Sequence, residues 1–325
     1  MRPKIYITRK IPDEALALLK QECEINMWDE EETPVPREIL KKEVENIDGL
    51  FCMLTDQIDQ EIMEQAPRLK VISNMAVGYN NIDVADATEK GVMVTNTPGV
   101  LTDTTADLTF ALLMSAGRRL MEASDYLRSG KWQSWSPMQL TGQDIHGSVL
   151  GIIGMGRIGQ AVAKRANGFN MNVIYYNRSR KPDQEQRLGL IYRDLEQLLH
   201  ESDYVVVLTP YNEETHHLIG EREIDMMKST AVLINTSRGS IIDEQALYEA
   251  LNDNKIWAAG LDVFEKEPIG LDNPLLSLSN VVTLPHIGSA SIKTRTKMAK
   301  LAAKDLLKGL NEEKPVHLVN VELLN

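Results

Sequence analysis

Residues 149–160 read VLGIIGMGRIGQ. Val149–Ile153 has the apolar character of a fully buried strand, and Gly154, Gly156 and Gly159 then fall in the spacing GxGxxG. Gln160–Ala166 has helical spacing, with Ala161, Ala163 and Ala166 small enough for close packing on a sheet. Strand, glycine turn and helix in that order form the opening of a dinucleotide-binding βαβ unit. Gly154 suits the tight turn and Gly156 lets the backbone approach a pyrophosphate, whose charge the helix N-terminus favours.

Working outward, short apolar runs continue the pattern at Val173–Tyr176, Val205–Leu208, Ala231–Asn235, Ala258–Phe264 and Val281–Leu284. Six such strands predict a doubly wound α/β nucleotide domain. Upstream, Lys4–Thr8, Cys23–Trp28, Gly49–Leu54, Leu69–Met75 and Gly91–Asn96 alternate with amphipathic stretches, Pro12–Lys20 first among them. That βαβα rhythm predicts a second parallel sheet covered on both faces. Between the two series lies a helix over Thr102–Arg119, apolar enough at Leu108, Phe110, Leu112, Leu113 and Met114 to be buried between domains. A polar arm, 130–148, follows and carries Trp132, Trp135 and Pro137. A last helix, Thr294–Leu310, is expected to return to the first domain. The boundaries fall near residues 100 and 290.

A chain of 325 residues is long enough for two such domains. With 35 Lys and Arg against 47 Asp and Glu, the net charge of −12 gives no basic surface for nucleic acid or an anionic membrane. Cys23 and Cys52 make no disulfide framework and no CxxC zinc spacing. No run of about 18 apolar residues exists to span a membrane, and MRPKIYITRK lacks the apolar core of a signal peptide. A soluble, cytoplasmic protein is expected.

An acid about 20 positions after the glycine turn ordinarily bonds the adenosine ribose. This chain has Asn177, followed by Arg178, Ser179, Arg180 and Lys181. A carboxylate there would bond the ribose hydroxyls of NAD and repel a 2′-phosphate; Asn177 removes the repulsion. Arg178 and Arg180 offer planar phosphate contacts and Ser179 a hydroxyl. Each charge-assisted bond is worth roughly 1.5–3 kcal/mol, so two could shift the preference by about 10²- to 10⁴-fold. The site is predicted to take NADP(H), with NAD(H) as the weaker ligand.

Ligands of an open parallel sheet bind outside the carboxyl ends of its strands. Three predicted strands run directly into ionisable residues there: Arg238 in TSRG, Glu265 and Glu267 in FEKEP, and His286 in PHIG. An arginine, a carboxylate and a histidine on one edge are what reduction of a 2-oxo acid needs. The arginine clamps the acid and polarises its carbonyl, the histidine gives a proton, and the carboxylate orients the imidazole. His146, His200, His216, His217 and His317 have no such placement and read as structural. His216 and His217 suggest no metal, because adjacent side chains are not expected to share a face.

The stretches NMAVGYNNIDV, TPGVLTDTTADLTFALLM, LGIIGMGRIGQAVAKRA, VLTPYNEETHHLIG, LINTSRGSIIDEQAL, GLDVFEKEPI and LPHIGSAS together resemble the D-isomer-specific 2-hydroxy acid dehydrogenases. Within that family the chain is similar to the glyoxylate/hydroxypyruvate reductases. The resemblance covers nearly the whole chain. It implies a Rossmann nucleotide domain, 101–289, inserted in a flavodoxin-like substrate domain, 1–100 plus 290–325. It makes Arg238 the substrate-binding arginine, Glu267 the partner carboxylate and His286 the acid/base. It gives the substrate carboxylate to the amides of Val77 and Gly78, and puts Leu54 and Ser289 at the substrate. Arg157 and Ile158 fall on the pyrophosphate turn, Leu208, Thr209 and Pro210 over the adenine, and Thr105 beside the cofactor. Thr236 and Asp262 fall at the nicotinamide, with Ser237, Arg238, His286 and Gly288 within reach of it. A homodimer is implied, in which Trp135 reaches the neighbouring subunit's site.

Two other readings stay open on these residues. A 2-ketogluconate reductase shares the triad, the length and the basic turn, and differs in pocket volume. A nucleotide-sensing corepressor keeps the same triad, but such proteins sense NAD(H) and often carry disordered tails. Phosphoglycerate dehydrogenase is disfavoured by the basic turn, and formate dehydrogenase by the carboxylate at Glu267.

Overall fold

Short runs rich in Ile, Val and Leu form the strands, as burial on both faces requires. In the computed structural model, which describes residues 2–324, they build two parallel sheets in two separate units. Met1–Leu101 with Ala290–Asn325 is one unit, and Thr102–Ser289 is the other.

The first sheet contains Lys4–Ile7 (β1), Glu24–Met27 (β2), Gly49–Cys52 (β3), Val71–Asn74 (β4) and Met93–Thr95 (β5). They pair in the order β2-β1-β3-β4-β5, with every pairing parallel. This is a flavodoxin-like order, and its direction reverses between β1 and β3. The helix Ile292–Leu310 lies over β3, β4 and β5 and against the helix Asp13–Glu22, burying Ala299, Ala302, Ala303 and Leu306. Its N-terminus is capped by the Ser291 side chain, which accepts from the Thr294 amide. Near its end the fully buried Asp305 accepts from the Val316 amide and faces His317 Nδ1 at 2.7 Å.

The second sheet contains Val149–Ile153 (β6), Asn172–Tyr176 (β7), Ile191–Tyr192 (β8), Tyr204–Val207 (β9), Val232–Asn235 (β10), Ala258–Leu261 (β11) and Val281–Thr283 (β12). Its order is β12-β11-β10-β9-β6-β7-β8, again all parallel. The direction reverses between β6 and β9, as in a Rossmann sheet. Seven strands stand where the sequence pattern shows six. The missed β8 has two residues at the sheet edge, with Ile191 half exposed, too short to set a periodicity. Predicted strands also overrun: β11 ends at Leu261, not Phe264. Val263 and Phe264 are buried by packing rather than by sheet pairing, which hydrophobicity alone does not distinguish.

Within this unit the helix Thr102–Gly117 packs on β10, β11 and β12 and on the helix Arg157–Asn167. After it come the helix Leu120–Arg128, with no buried residue, and a stretch, 130–148, without helix or strand.

Candidate active site

The residues after β10 are pinned by that strand's own last side chain. Asn235, fully buried, accepts from the Ser237 amide at 3.0 Å and donates to the Arg238 carbonyl at 2.8 Å. The Thr236 hydroxyl meets that of Thr109 at 2.7 Å, and the Ser237 hydroxyl donates to the Thr209 carbonyl. Gly239 decides what lies beside the turn. A Cβ there would stand 1.8 Å from the Phe264 carbonyl carbon, so the turn presses against the loop after β11 in a way only glycine allows. Arg238 donates from Nη1 to the Ser237 carbonyl at 2.7 Å. Burial lowers its pKa, and the nearby charge of Glu267 opposes that.

His286 follows β12 with a φ of 52°, a left-handed conformation uncommon for a residue with a side chain. The surroundings over-determine it. Its amide donates to the Asp262 carbonyl at 2.9 Å, and the Ile287 and Gly288 amides donate to the two Asp262 carboxylate oxygens at 2.7 Å each. Asp262 is 1% exposed, and burial raises its pKa against the pull of those amides and of His286. The residue expected at the nicotinamide thus has each carboxylate oxygen on a backbone amide of the histidine loop.

Glu267 completes the cluster. One of its oxygens accepts from the Phe264 amide at 3.0 Å and the other lies 2.7 Å from His286 Nδ1. Burial pushes the Glu267 carboxyl up. The bond and charge of His286, the Phe264 amide and the charge of Arg238 together outweigh it and hold the group below the ordinary range. With Nδ1 engaged by a carboxylate, Nε2 is the nitrogen left to exchange a proton with a ligand. A guanidinium, an ionised carboxylate and an oriented imidazole thus gather at one sheet edge.

The glycine turn lies at that edge too. Gly154 has φ +103°, and a Cβ on it would lie 2.6 Å from the Thr209 amide nitrogen, so this turn and the segment after β9 (Leu208, Thr209, Pro210) are in close approach. A Cβ on Gly156 would stand in open space. No side chain caps the helix Arg157–Asn167 that starts there, so the amides of its first turn, Arg157 and Ile158 included, have no such partner to compete with an incoming phosphate. These features fit a dinucleotide. Asn177 accepts from the Met155 amide at 3.2 Å and donates to the Ser179 carbonyl at 2.8 Å, tying the basic loop to the turn. Arg178 pairs loosely with Glu214 at 3.4 Å, both highly exposed, whereas Arg180 forms a two-point pair with Glu185 at 2.8 Å. Thr105 is buried, and a Cβ on Gly288 would lie 3.4 Å from its methyl group and 3.1 Å from Asp262.

In the other unit, the Val77 carbonyl accepts from Asn96 at 2.7 Å and the Gly78 carbonyl from Asn74 at 3.0 Å. Asn74 also bonds Asn81, which donates to the carbonyls of Met53 and Asp56 and so bridges to the segment containing Leu54. These asparagines were not singled out in the sequence. Their only signal is a polar residue at a strand end or in a turn, and Asn serves turns far more often than sites.

One expectation is overturned. The rings of His216 and His217 do share a face, stacked at 4.0 Å and 20°. His217 has φ 48°, and the left-handed turn brings neighbouring side chains together. His217 also faces Glu265 at 2.9 Å and Asp243 at 3.7 Å. Nε2 serves Glu265 and Nδ1 faces Asp243.

Residues 110–288 match the family model described as "D-isomer specific 2-hydroxyacid dehydrogenase, NAD binding domain". The glyoxylate reductase of Korarchaeum cryptofilum is 50% identical over all of this chain and 98% of its own length. The chain belongs to that family. Another relative of this dehydrogenase, the glyoxylate reductase of Thermococcus kodakarensis, is 49% identical over all of this chain and 98% of its own. Among solved structures, the NADPH-dependent glyoxylate/hydroxypyruvate reductase of Sinorhizobium meliloti, in complex with NADP and malonate, has a TM-score of 0.86 at 32% identity. That match covers 98% of this chain and 97% of the other. Among the described residues of the dehydrogenase, no helix is long and apolar enough to cross a membrane.

Proposed function

We propose that this dehydrogenase reduces small 2-oxo acids, glyoxylate and hydroxypyruvate, to 2-hydroxy acids with NADPH, as a cytoplasmic homodimer. The observation that carries the reading is the His286 Nδ1 to Glu267 contact of 2.7 Å beside Arg238, whose charge acts on the same carboxylate. When bound, the reduced nicotinamide supplies the hydride that reaches the carbonyl carbon. Arg238 grips the substrate carboxylate and polarises the carbonyl, and His286 Nε2 gives its proton to the carbonyl oxygen. Glu267 keeps the imidazole oriented and stabilises its charge. Val77 and Gly78 offer amides to the carboxylate, while Leu54 and Ser289 bound the acid's small end.

On the cofactor side the first turn at Gly156, Arg157 and Ile158 takes the pyrophosphate, and Arg178, Ser179 and Arg180 take the 2′-phosphate. Leu208, Thr209 and Pro210 cover the adenine. Thr105, Thr236, Ser237 and Gly288 border the nicotinamide, where Asp262 acts by holding the loop of His286. Residues 1–101 with 290–325 form the substrate domain, and 102–289 the cofactor domain. The glyoxylate reductases of K. cryptofilum and T. kodakarensis and the NADPH-dependent enzyme of S. meliloti support this choice of substrate and cofactor.

Initial rates with glyoxylate, hydroxypyruvate and 2-ketogluconate, each with NADPH and NADH, test it. The highest kcat/KM is expected for a two- or three-carbon acid with NADPH. A higher value for 2-ketogluconate would move the protein to another branch, and one for NADH would reduce Arg178 and Arg180 to surface charges. His286→Ala should cost about 10²–10⁴ in turnover while NADPH binding survives; an active variant would remove His286 from the chemistry.

A further inference from the structure

The basic loop after β7 contains one acid that is drawn in rather than left in solvent. Glu185 has a side chain only 14% exposed, against 63% for its partner Arg180. Its Oε1 accepts from the Tyr175 hydroxyl at 2.6 Å and from Arg180 Nε at 2.8 Å, and its Oε2 accepts from Arg180 Nη2 at 2.8 Å. Tyr175, fully buried on β7, in turn accepts from the Lys181 amide at 2.7 Å. The guanidinium also lies 5.8 Å from the centre of the Tyr192 ring. Core tyrosine, acid and loop arginine thus form one chain of contacts, anchored in the sheet that holds the glycine turn.

Arg178 has no such anchor. Its side chain is 84% exposed and its contact with Glu214, itself 74% exposed, is 3.4 Å long, a geometry that contributes little in water. The two arginines expected to meet a phosphate therefore differ in kind: one has a single long contact to an exposed acid and one is set in place by two bonds.

We propose that Glu185, itself held by Tyr175, is the positioning residue that presents Arg180 to the adenosine 2′-phosphate and so sets the preference for NADPH over NADH. The inference rests on the NADPH reading above and adds a residue to it. The pairing is side-on, using Nε and one hydrogen of Nη2, so the remaining donors of the guanidinium lie along its Nη1 and Nη2 end. A two-point contact with phosphate uses two such donors. Holding the long side chain in one rotamer before the cofactor arrives removes the ordering that a free arginine undergoes on binding. Hydrogen bonds from Arg180 and Tyr175 hold the Glu185 carboxyl at about 2, so it stays ionised across the working pH range and the arrangement does not titrate.

Equilibrium binding to the full chain, read by nucleotide fluorescence, tests this without any oxo acid. Kd is measured for NADPH and NADH with the wild type, Glu185→Gln, Tyr175→Phe, Arg178→Ala and Arg180→Ala, and competition is measured with 2′,5′-ADP and 5′-AMP. Glu185→Gln is expected to weaken NADPH and 2′,5′-ADP by roughly tenfold, about 1.4 kcal/mol, with NADH and 5′-AMP moved less than about twofold. Tyr175→Phe should shift the same pair in the same direction by less. A merely structural role would weaken all four ligands together, and retained NADH binding serves as the control for folding. NADPH binding that is unchanged or tighter in Glu185→Gln would overturn the proposal, the acid then being a competing counter-ion. If Arg178→Ala alone abolished the NADPH preference and Arg180→Ala did not, the proposal would fall and the NADPH reading would stand. If neither arginine variant moved the preference, both would fall.

Discussion

Glu267 sits under opposed influences. Burial favours its neutral form, while His286, the Phe264 amide and Arg238 favour the charged one and win. Its carboxyl therefore titrates below the ordinary carboxylate range. A depressed acid contributes stability that is present above its unfolded pKa and is lost as pH falls through the folded one. Glu267→Gln removes that contribution, so the Tm of the variant should lie below wild type at pH 7 and converge with it as the pH is lowered below the usual carboxylate range. Thermal melts across pH check this, and a gap that widened toward acid would contradict it. Turnover of the same variant should drop by about 10²-fold, because an amide neither holds nor stabilises an imidazolium as a carboxylate does. At this scale the residue types were legible. Arg238, an acid after β11 and His286 each follow a strand, and the carboxyl edge of a parallel sheet is where such residues meet. The role of Asp262 was not, because its partners are backbone amides whose directions depend on the left-handed turn at His286.

Two loops show what single elements decide. After β4, Asn74 and Asn96 hold the carbonyls of Gly78 and Val77, which fixes how this loop presents its amides. Asn74→Ala or Asn96→Ala should raise KM for the oxo acid by roughly tenfold, about the worth of one such bond, with KM for NADPH unchanged. Steady-state kinetics distinguish this from a global loss, which would move both. After β3, Asp56 is buried and accepts from the Thr8 hydroxyl and the Met53 amide. Burial raises its pKa, with those bonds and Arg9 pulling against it. An acid whose folded pKa is raised favours the fold below its unfolded pKa and loses that contribution as pH rises through the folded one. Asp56→Asn keeps an acceptor without the charge. Its Tm relative to wild type should therefore be higher at pH 8 than at pH 4, and the opposite trend would show that the ionised carboxylate stabilises this loop.

For the whole molecule, the helix Leu120–Arg128 and the stretch after it expose Leu120, Met121, Leu127, Trp132, Trp135 and Met138. Apolar side chains gathered in one exposed segment of a folded domain are the kind of surface that a partner covers. In a homodimer with that face at its centre, Leu127→Glu should shift the mass in solution from two chains toward one, as read by light scattering. A wild-type monomer would remove the dimer from the proposal.

The amino-acid sequence by itself determined both parallel sheets, the glycine turn and the identity of the three ionisable residues that meet at one sheet edge. Each rests on local pattern: short continuous apolar runs for strands buried on both faces, glycines where no side chain fits, and polar residues where an apolar strand stops. Tertiary structure alone decided which side chains hold those groups. Asn235, Asp262, Asn74, Asn96 and Glu185 bond partners that differ in sequence position by as few as 2 and as many as 26 residues. The direction of a hydrogen bond follows from the path of the backbone, which residue type and spacing do not carry.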